Sequence, residues 1–488
     1  MGGRVYYNNF GSGTVSSAWY QLYASMGPDI TAIENLNTEE NALSYHLGIA
    51  YAMAAHVTMG VVDSVGDIPW SQANNVLEFP SPSVDDDADV YAAAIAMLDD
   101  ATSQLALGNP AGISDYFYNG SATNWQKYVN TLKMRAHLTQ GDYAAALAQT
   151  NVIETAADDM QFNYGTQELQ PDTRHPWYQS DYTTSGANIY QSSWLMDLMD
   201  GDQTEWESWW QVGGNSANYV IDGDAHNSIA SEDPRRRSYF YRQSWVTPGS
   251  GAMLFTGGYS YMWPHEFAGG DFEATADGET LQCSLQDQPF HLEFTPDGNF
   301  EPFANSMQVG RWCAGFLGYW GRHHGNDEGT PPDNFTRTAS GVYPAGGSYD
   351  NQPDVPDVLS HLDSAGEWSS SYMPTGQVWQ GNGGGGQGIW PIYLSSYVKF
   401  MKAEAAMTAN PGMAAGYFEA GVTESIAKVL GMNTVDPEAN ANMFPTAAKV
   451  TAFIADRVAE FTNAPATSAL DGLGWPTEKD QMDVLGEQ

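Results

Sequence analysis

Apolar residues recur with the period of an α-helix at both ends of this chain, and between about residues 160 and 390 that period disappears. Leu43, Leu47, Ala50, Ala54, Val57 and Val61 follow in steps of three and four, which places them on one helical face. Val90, Ala94, Met97, Ala101 and Leu105 do the same. Pro80 and Pro82 precede that second run, Ser83 is placed to cap it, and Asp85, Asp86 and Asp87 suit its N-terminal dipole. Trp125, Tyr128, Leu132 and Ala136 then predict a helix, Gly141-Asp142 a turn, and the Ala-rich stretch from Tyr143 to about Ala156 another helix. Toward the C-terminus, helices are predicted over 395–408, 414–430 and 446–461, the first pair broken at Asn410-Pro411-Gly412. Each helical hairpin leaves an apolar face uncovered, so hairpins from the two ends are expected to stack as a helical-repeat scaffold.

The middle of the chain has another character. Gly, Pro, Asn and Asp recur every few residues, as in Gly213-Gly214-Asn215, Gly257-Gly258 and Asn382 to Gly386. Its aromatic content is too high for a disordered linker, so it reads as functional loops held by the scaffold. Short strands are expected near Phe290–Phe294 and Met253–Thr256. The predicted fold is therefore mainly α, a single domain of 488 residues, with residues 1–160 and 390–488 as scaffold and 161–389 as a loop-rich binding region containing short strands.

Charge narrows what such loops can bind. Eighteen basic against 59 acidic residues give a net charge of -41, a field that repels nucleic acid and anionic membranes. Neutral ligands remain, with structural calcium as the cofactor the acid surplus could accommodate. Sixteen Trp and 27 Tyr are more than packing alone asks for, and flat indole faces suit the CH-rich faces of sugar rings. Trp206, Trp209 and Trp210 stand within five residues among carboxylates and are difficult to bury together, so they lead the candidates. Trp70, Trp177, Trp263 and Trp320 sit in loop-like sequence and complete the candidate binding set, with Trp368 and Trp379 in similar surroundings.

Other chemistries find little support. The loop from Gly321 to Pro332 contains His323, His324, Asp327 and Glu328, but adjacent histidines do not converge on a metal as an i,i+4 pair does. Gly381 to Gly386 lacks a lysine and a preceding strand, so it is no phosphate cradle. No GxSxG, HExxH, P-loop or dinucleotide fingerprint occurs, and a carboxylate pair can always be imagined among 59 acids. Cys283 and Cys313 could close a loop of roughly 30 residues, worth about 3–4 kcal/mol, or remain two buried thiols. No run of about 18 apolar residues predicts a membrane-spanning helix. The opening Met-Gly-Gly-Arg carries no export signal and reads as the scar of a trimmed chain.

Five segments in this order resemble the SusD/RagB family of outer-membrane nutrient-binding lipoproteins. Val65-Gly66-Asp67-Ile68-Pro69-Trp70 resembles its Gly-Asp-(Ile/Val)-Pro-aromatic element, and Asn124 to Arg135 its Trp-x-Lys-x-x-Asn-x-Leu-x-x-Arg helix. Asp233-Pro234-Arg235 resembles its Asp-Pro-Arg turn. The Gly321–Pro332 loop with Val342 to Gly347 behind it resembles one subgroup, and Tyr397 to Met407 the late helix with an Ala-Glu-Ala core.

The resemblance implies a tetratricopeptide-like scaffold and non-catalytic glycan capture on aromatic platforms, with ligand near the residues after Gly-Asp-Ile-Pro. It also implies a cell-surface location and a SusC-like TonB-dependent transporter as partner. The family's lipid-anchoring cysteine and longer N-terminal lead do not appear here, so the anchor is inferred and membrane contact is expected through it alone. The expected ligand is a neutral polysaccharide or oligosaccharide, such as the β-glucan laminarin. The competing expectations are a subunit that gates its transporter with little glycan affinity, and an all-α glycoside hydrolase.

Overall fold

Helices carry most of the regular structure in the computed structural model, which describes residues 13–38, 42–200, 233–242, 338–351, 382–469 and 479–488 apart from 74, 76, 111, 184–185 and 190. The first elements in chain order are α1 (Ser16–Tyr20), a π-helical turn (Gln21–Met26), α2 (Gly27–Leu36), α3 (Ser44–Val65), α4 (Asp87–Leu105), α5 (Ala122–Thr139) and α6 (Tyr143–Ala148). Then come β1 (Met160–Asn163), α7 (Pro176–Asp181), α8 (Ser193–Asp200), α9 (Arg236–Tyr239), β2 (Phe240–Tyr241), β3 (Ala339–Ser340) and β4 (Ile389–Tyr393). The last are α10 (Ser395–Ala409), α11 (Pro411–Gly431), α12 (Ala447–Asn463) and α13 (Gln481–Gly486). β1 pairs with β4, and β2 pairs antiparallel with β3, Phe240 opposite Ser340 and Tyr241 opposite Ala339. The described residues fall into two compact units, one drawn from 9–162, 391–425 and 458–488, the other from 163–390 and 426–457.

The first unit is the helical one. On α4 Val90, Ala94, Ala101 and Leu105 of the expected stripe are buried; Met97 is half-buried against the core, and its neighbour Leu98 takes the fully buried place. On α3 Leu47, Ala54 and Val61 are buried as expected, and Ala52, Ala55, Met59 and Val62 bury a second stripe. Burial on two sides is why α3 is apolar throughout; it has the length and hydropathy of a membrane span, yet its apolar residues serve this core. Gly48 lets the two helices approach, because a Cβ there would meet Leu105 at 2.7 Å and the Ala101 carbonyl at 3.2 Å. Trp125, fully buried on α5, meets Tyr118 and Tyr128 edge to face with ring centres 5.5 and 5.6 Å away.

α10 joins this N-terminal core as the uncovered faces predict. Asp159 accepts from the Ser395 N–H at 2.7 Å, and Lys399 and Lys402 both pair with Glu154. Phe418 and Phe461 stack with centres 4.5 Å apart, and Gly421 makes room for the Phe400 ring.

Two local expectations are corrected. Asp86, not Ser83, caps α4, its carboxylate accepting the Ala88 N–H at 3.1 Å, while Ser83 donates its own N–H to Gln72. The Ala-rich helix ends at Ala148 rather than near Ala156, because Asn151 turns the chain with φ +53° and Val152 and Ile153 plunge into the core. The buried Ile153 N–H there donates to the Thr131 hydroxyl at 3.0 Å. Thr131→Val keeps the shape and removes that acceptor, so it should cost about 1–3 kcal/mol. The measurement is a lower urea midpoint at constant slope.

The Gly-Asp-Ile-Pro-Trp segment is fixed in the same unit. Gly66 ends α3 at φ +77°, a conformation that favours glycine, and Ile68 bridges Asp85. Asp85 accepts from the Trp70 and Ser71 N–H groups and the Ser71 hydroxyl at 2.6–3.0 Å, and the Ser71 hydroxyl leads in lowering its pKa.

Among its described residues the second unit has little regular structure, so side chains there take up the hydrogen-bonding that helices and strands supply elsewhere. Asp181 accepts from the N–H and hydroxyl of Ser340, both at 2.8 Å, and from Ile189 N–H. Tyr182 donates to the Ser340 carbonyl and receives the Ser348 N–H. Ser238 bonds Asn433, the Tyr349 N–H bonds Asp436, and Arg235 forks onto Asp233. Arg242 meets Asp350 at 2.7 Å with both side chains fully buried. The Val342–Gly347 and Asp-Pro-Arg segments noted in the sequence thus lie in this polar core.

Candidate functional site

The segment 175–178 begins with a residue whose conformation its neighbour dictates. Pro176 pushes His175 to extended backbone and itself suits the first helical position of α7. His175 becomes the N-cap: its Nδ1 accepts the Trp177 N–H at 3.1 Å, while its own N–H donates to the Gly386 carbonyl at 2.9 Å. Trp177 then projects from the first turn with 39% of its surface exposed. On β4 side chains alternate, Ile389 inward and Trp390 outward, 43% exposed. The two indoles meet with ring centres 5.9 Å apart and planes at 62°.

Behind them lies the buried ring of His175. It is stacked on Trp390 (5.8 Å, 21°), and it meets Trp177 (5.5 Å) and Tyr164 (4.8 Å) edge to face. Burial lowers the His175 pKa to about 4, against a smaller opposing effect of the Ile389 backbone, so at neutral pH Nδ1 is available to accept. Large aromatics are ordinarily turned inward, so two adjacent indoles exposed on a backed surface form a platform rather than a core.

The same segment borders a cleft of about 450 Å³. Thr166, Glu168, Arg174 and Gln387 give it polar walls, Tyr178 and Val435 apolar ones, and Gly383 to Gly385 part of its lining. Gly386 lies so close to α7 that a Cβ would meet Arg174 at 2.7 Å and Tyr178 at 2.9 Å, and its φ of +87° admits little but glycine. Arg174 forks onto Asp172 at 2.8 and 3.1 Å and reaches Glu168 at 3.8 Å. The Arg174 bond leads in holding the Asp172 carboxyl below its usual pKa. Stacking on apolar faces beside donors and acceptors for hydroxyls is what this surface can do.

Of the residues singled out in the sequence, Trp177 stands on this platform. Trp70 belongs to the helical unit, half-buried against its core. Trp206, Trp209, Trp210, Trp263, Trp320, Trp368, Trp379, the strands near 253–256 and 290–294, the loop 321–332 and both Cys283 and Cys313 lie outside the described residues. Trp390 and His175 were not among the candidates: Ile389-Trp390-Pro391-Ile392 reads as an apolar strand, and a lone histidine before proline carries no signal. Asp67, Asp86 and Asp87 bring carboxylate oxygens within 4.8 Å of one another at an exposed point, the kind of group the acid surplus suggests for calcium. Asp67 and Asp86 there already accept the Asp87 and Ala88 N–H groups, which accounts for the cluster as helix capping.

A mainly helical scaffold with an aromatic platform on its loop-rich part is the class defined by these observations. Residues 2–246 match the SusD-like family described as "Starch-binding associating with outer membrane", and the chain belongs to that family. No curated protein sequence matches the chain. Among solved structures, a SusD homologue of Bacteroides fragilis is 13% identical, with 89% of this chain and 68% of that one covered at a TM-score of 0.46. A SusD/RagB family protein of Bacteroides thetaiotaomicron is 15% identical, covering 92% and 69% at 0.45. A chitin-binding SusD homologue from Flavobacterium johnsoniae is 14% identical with 84% of this chain covered at 0.43, and the chain spans 58% of its length.

Proposed function

We propose that the protein binds a neutral polysaccharide at the cell surface, without cleaving it, and delivers it to a TonB-dependent outer-membrane transporter. The observation that carries the reading is the exposed Trp177–Trp390 pair, 5.9 Å apart and beside a cleft with hydroxyl-bonding groups. Membership of a family described as starch-binding and outer-membrane-associated supports both ligand class and location. The net charge of -41 favours an uncharged glycan, for which laminarin is the first choice. A non-catalytic role is supported by membership of a family described by binding rather than by a reaction.

Affinity electrophoresis through laminarin, starch, other neutral glucans and soluble chitin derivatives tests it. Retardation by at least one neutral glycan is expected, with no release of reducing sugar. Retardation by none would leave transporter gating as the better account, and sugar release would overturn the non-catalytic assignment.

A further inference from the structure

We propose that His175 is the positioning residue of this platform, one imidazole setting the placement of both exposed indoles. The inference rests on the glycan-binding reading for its purpose, and on geometry for its substance. Trp177 and Trp390 come from different elements, α7 and β4, and besides their direct contact one buried residue joins them. His175 touches both. Its Nδ1 takes the Trp177 N–H at 3.1 Å and so fixes the first turn from which that indole projects. Its ring plane lies 21° from that of Trp390 at 5.8 Å, which backs one face and leaves the other toward solvent.

The imidazole is itself held. Its backbone N–H is tied to Gly386, the Tyr164 ring meets its edge at 4.8 Å, and the side chain is fully buried. A residue needed only as a cap could be Asn, Asp, Ser or Thr, none of which presents a ring to Trp390. A residue needed only as a ring could be Phe, which has no acceptor for the Trp177 N–H. Neutral histidine supplies both.

That division gives the test. The whole chain is labelled with 5-fluorotryptophan, and the fluorine resonances of Trp177 and Trp390 are assigned with Trp177→Phe and Trp390→Phe. In His175→Asn, which keeps a cap acceptor, the Trp390 resonance should shift and broaden more than that of Trp177. In His175→Phe, which keeps a ring, the order should reverse. With the glycan that retards the unsubstituted protein, His175→Asn should bind about fivefold more weakly at a temperature where both proteins remain folded. Resonances that stay put in both variants, or that move to the same extent in both, overturn the proposal; so does unchanged affinity in His175→Asn. If no glycan retards even the unsubstituted protein, the binding reading fails while the ligand-free resonances still decide whether His175 orders the pair.

Discussion

Replacing Asp350 with alanine is expected to remove about 3–5 kcal/mol of stability, because it strips a fully buried guanidinium of the carboxylate it faces. Arg242 donates its Nε–H to Asp350 at 2.7 Å, and neither side chain has measurable exposure. Arg237 adds a second tie, its guanidinium donating to the Asp350 carbonyl at 3.1 Å while its own carbonyl receives the Asp350 N–H at 3.0 Å. Around them the described residues form the two-residue β2–β3 pairing and short helical turns, so such side-chain bonds replace much of what a regular ladder would provide. Asp350→Asn should lose less, since the amide oxygen can still accept. Changing Arg242 and Asp350 together to Met and Leu should recover part of the loss, as buried pairs exchanged for apolar groups of similar volume often do. The readout is the urea midpoint of each variant. An Asp350→Ala protein as stable as the parent would show that the pair is not what holds this unit.

The contrast between the two units explains how much of the fold was legible in the sequence. α3, α4, α5, α10, α11 and α12 announce themselves because each buries a stripe, and a stripe on a helix is a period in the chain. Membership of the core from both ends, seen in the ties of Ser395, Lys399 and Lys402 to Asp159 and Glu154, follows from faces too apolar to leave wet. The segment Ser16–Leu36 is helical yet was not expected to be, because Leu22 is its sole buried residue among those described and no stripe results. The second unit is built from hydrogen bonds between residues far apart in the chain, such as Asp181 with Ser340 and Tyr349 with Asp436, and these leave no local period. The site was half legible for the same reason. Trp177 was one of several indoles in loop-like sequence, whereas Trp390, at the start of the expected scaffold, carried no such mark and is turned outward by the alternation of β4.

Removing both exposed indoles, in Trp177→Ala with Trp390→Ala, should abolish retardation by the bound glycan. Each single substitution should weaken binding by about tenfold, equivalent to ~1.4 kcal/mol. The rings touch, so their losses are coupled: with one indole gone the other loses part of its support, and the second removal then costs less than the first. The effect on folding should be smaller, because the rings are 39% and 43% exposed and bury only part of their area. Circular dichroism and the urea midpoint separate the two effects, since a loss of retardation in a protein with parental unfolding locates the defect at the surface. Trp70→Ala supplies the comparison: that indole packs on the helical core, so its removal should lower stability more than it lowers glycan retention if the platform is the capture site. Should the double variant be retarded as strongly as the parent, the platform is not the glycan contact, and the cluster Trp206, Trp209 and Trp210 becomes the next to replace.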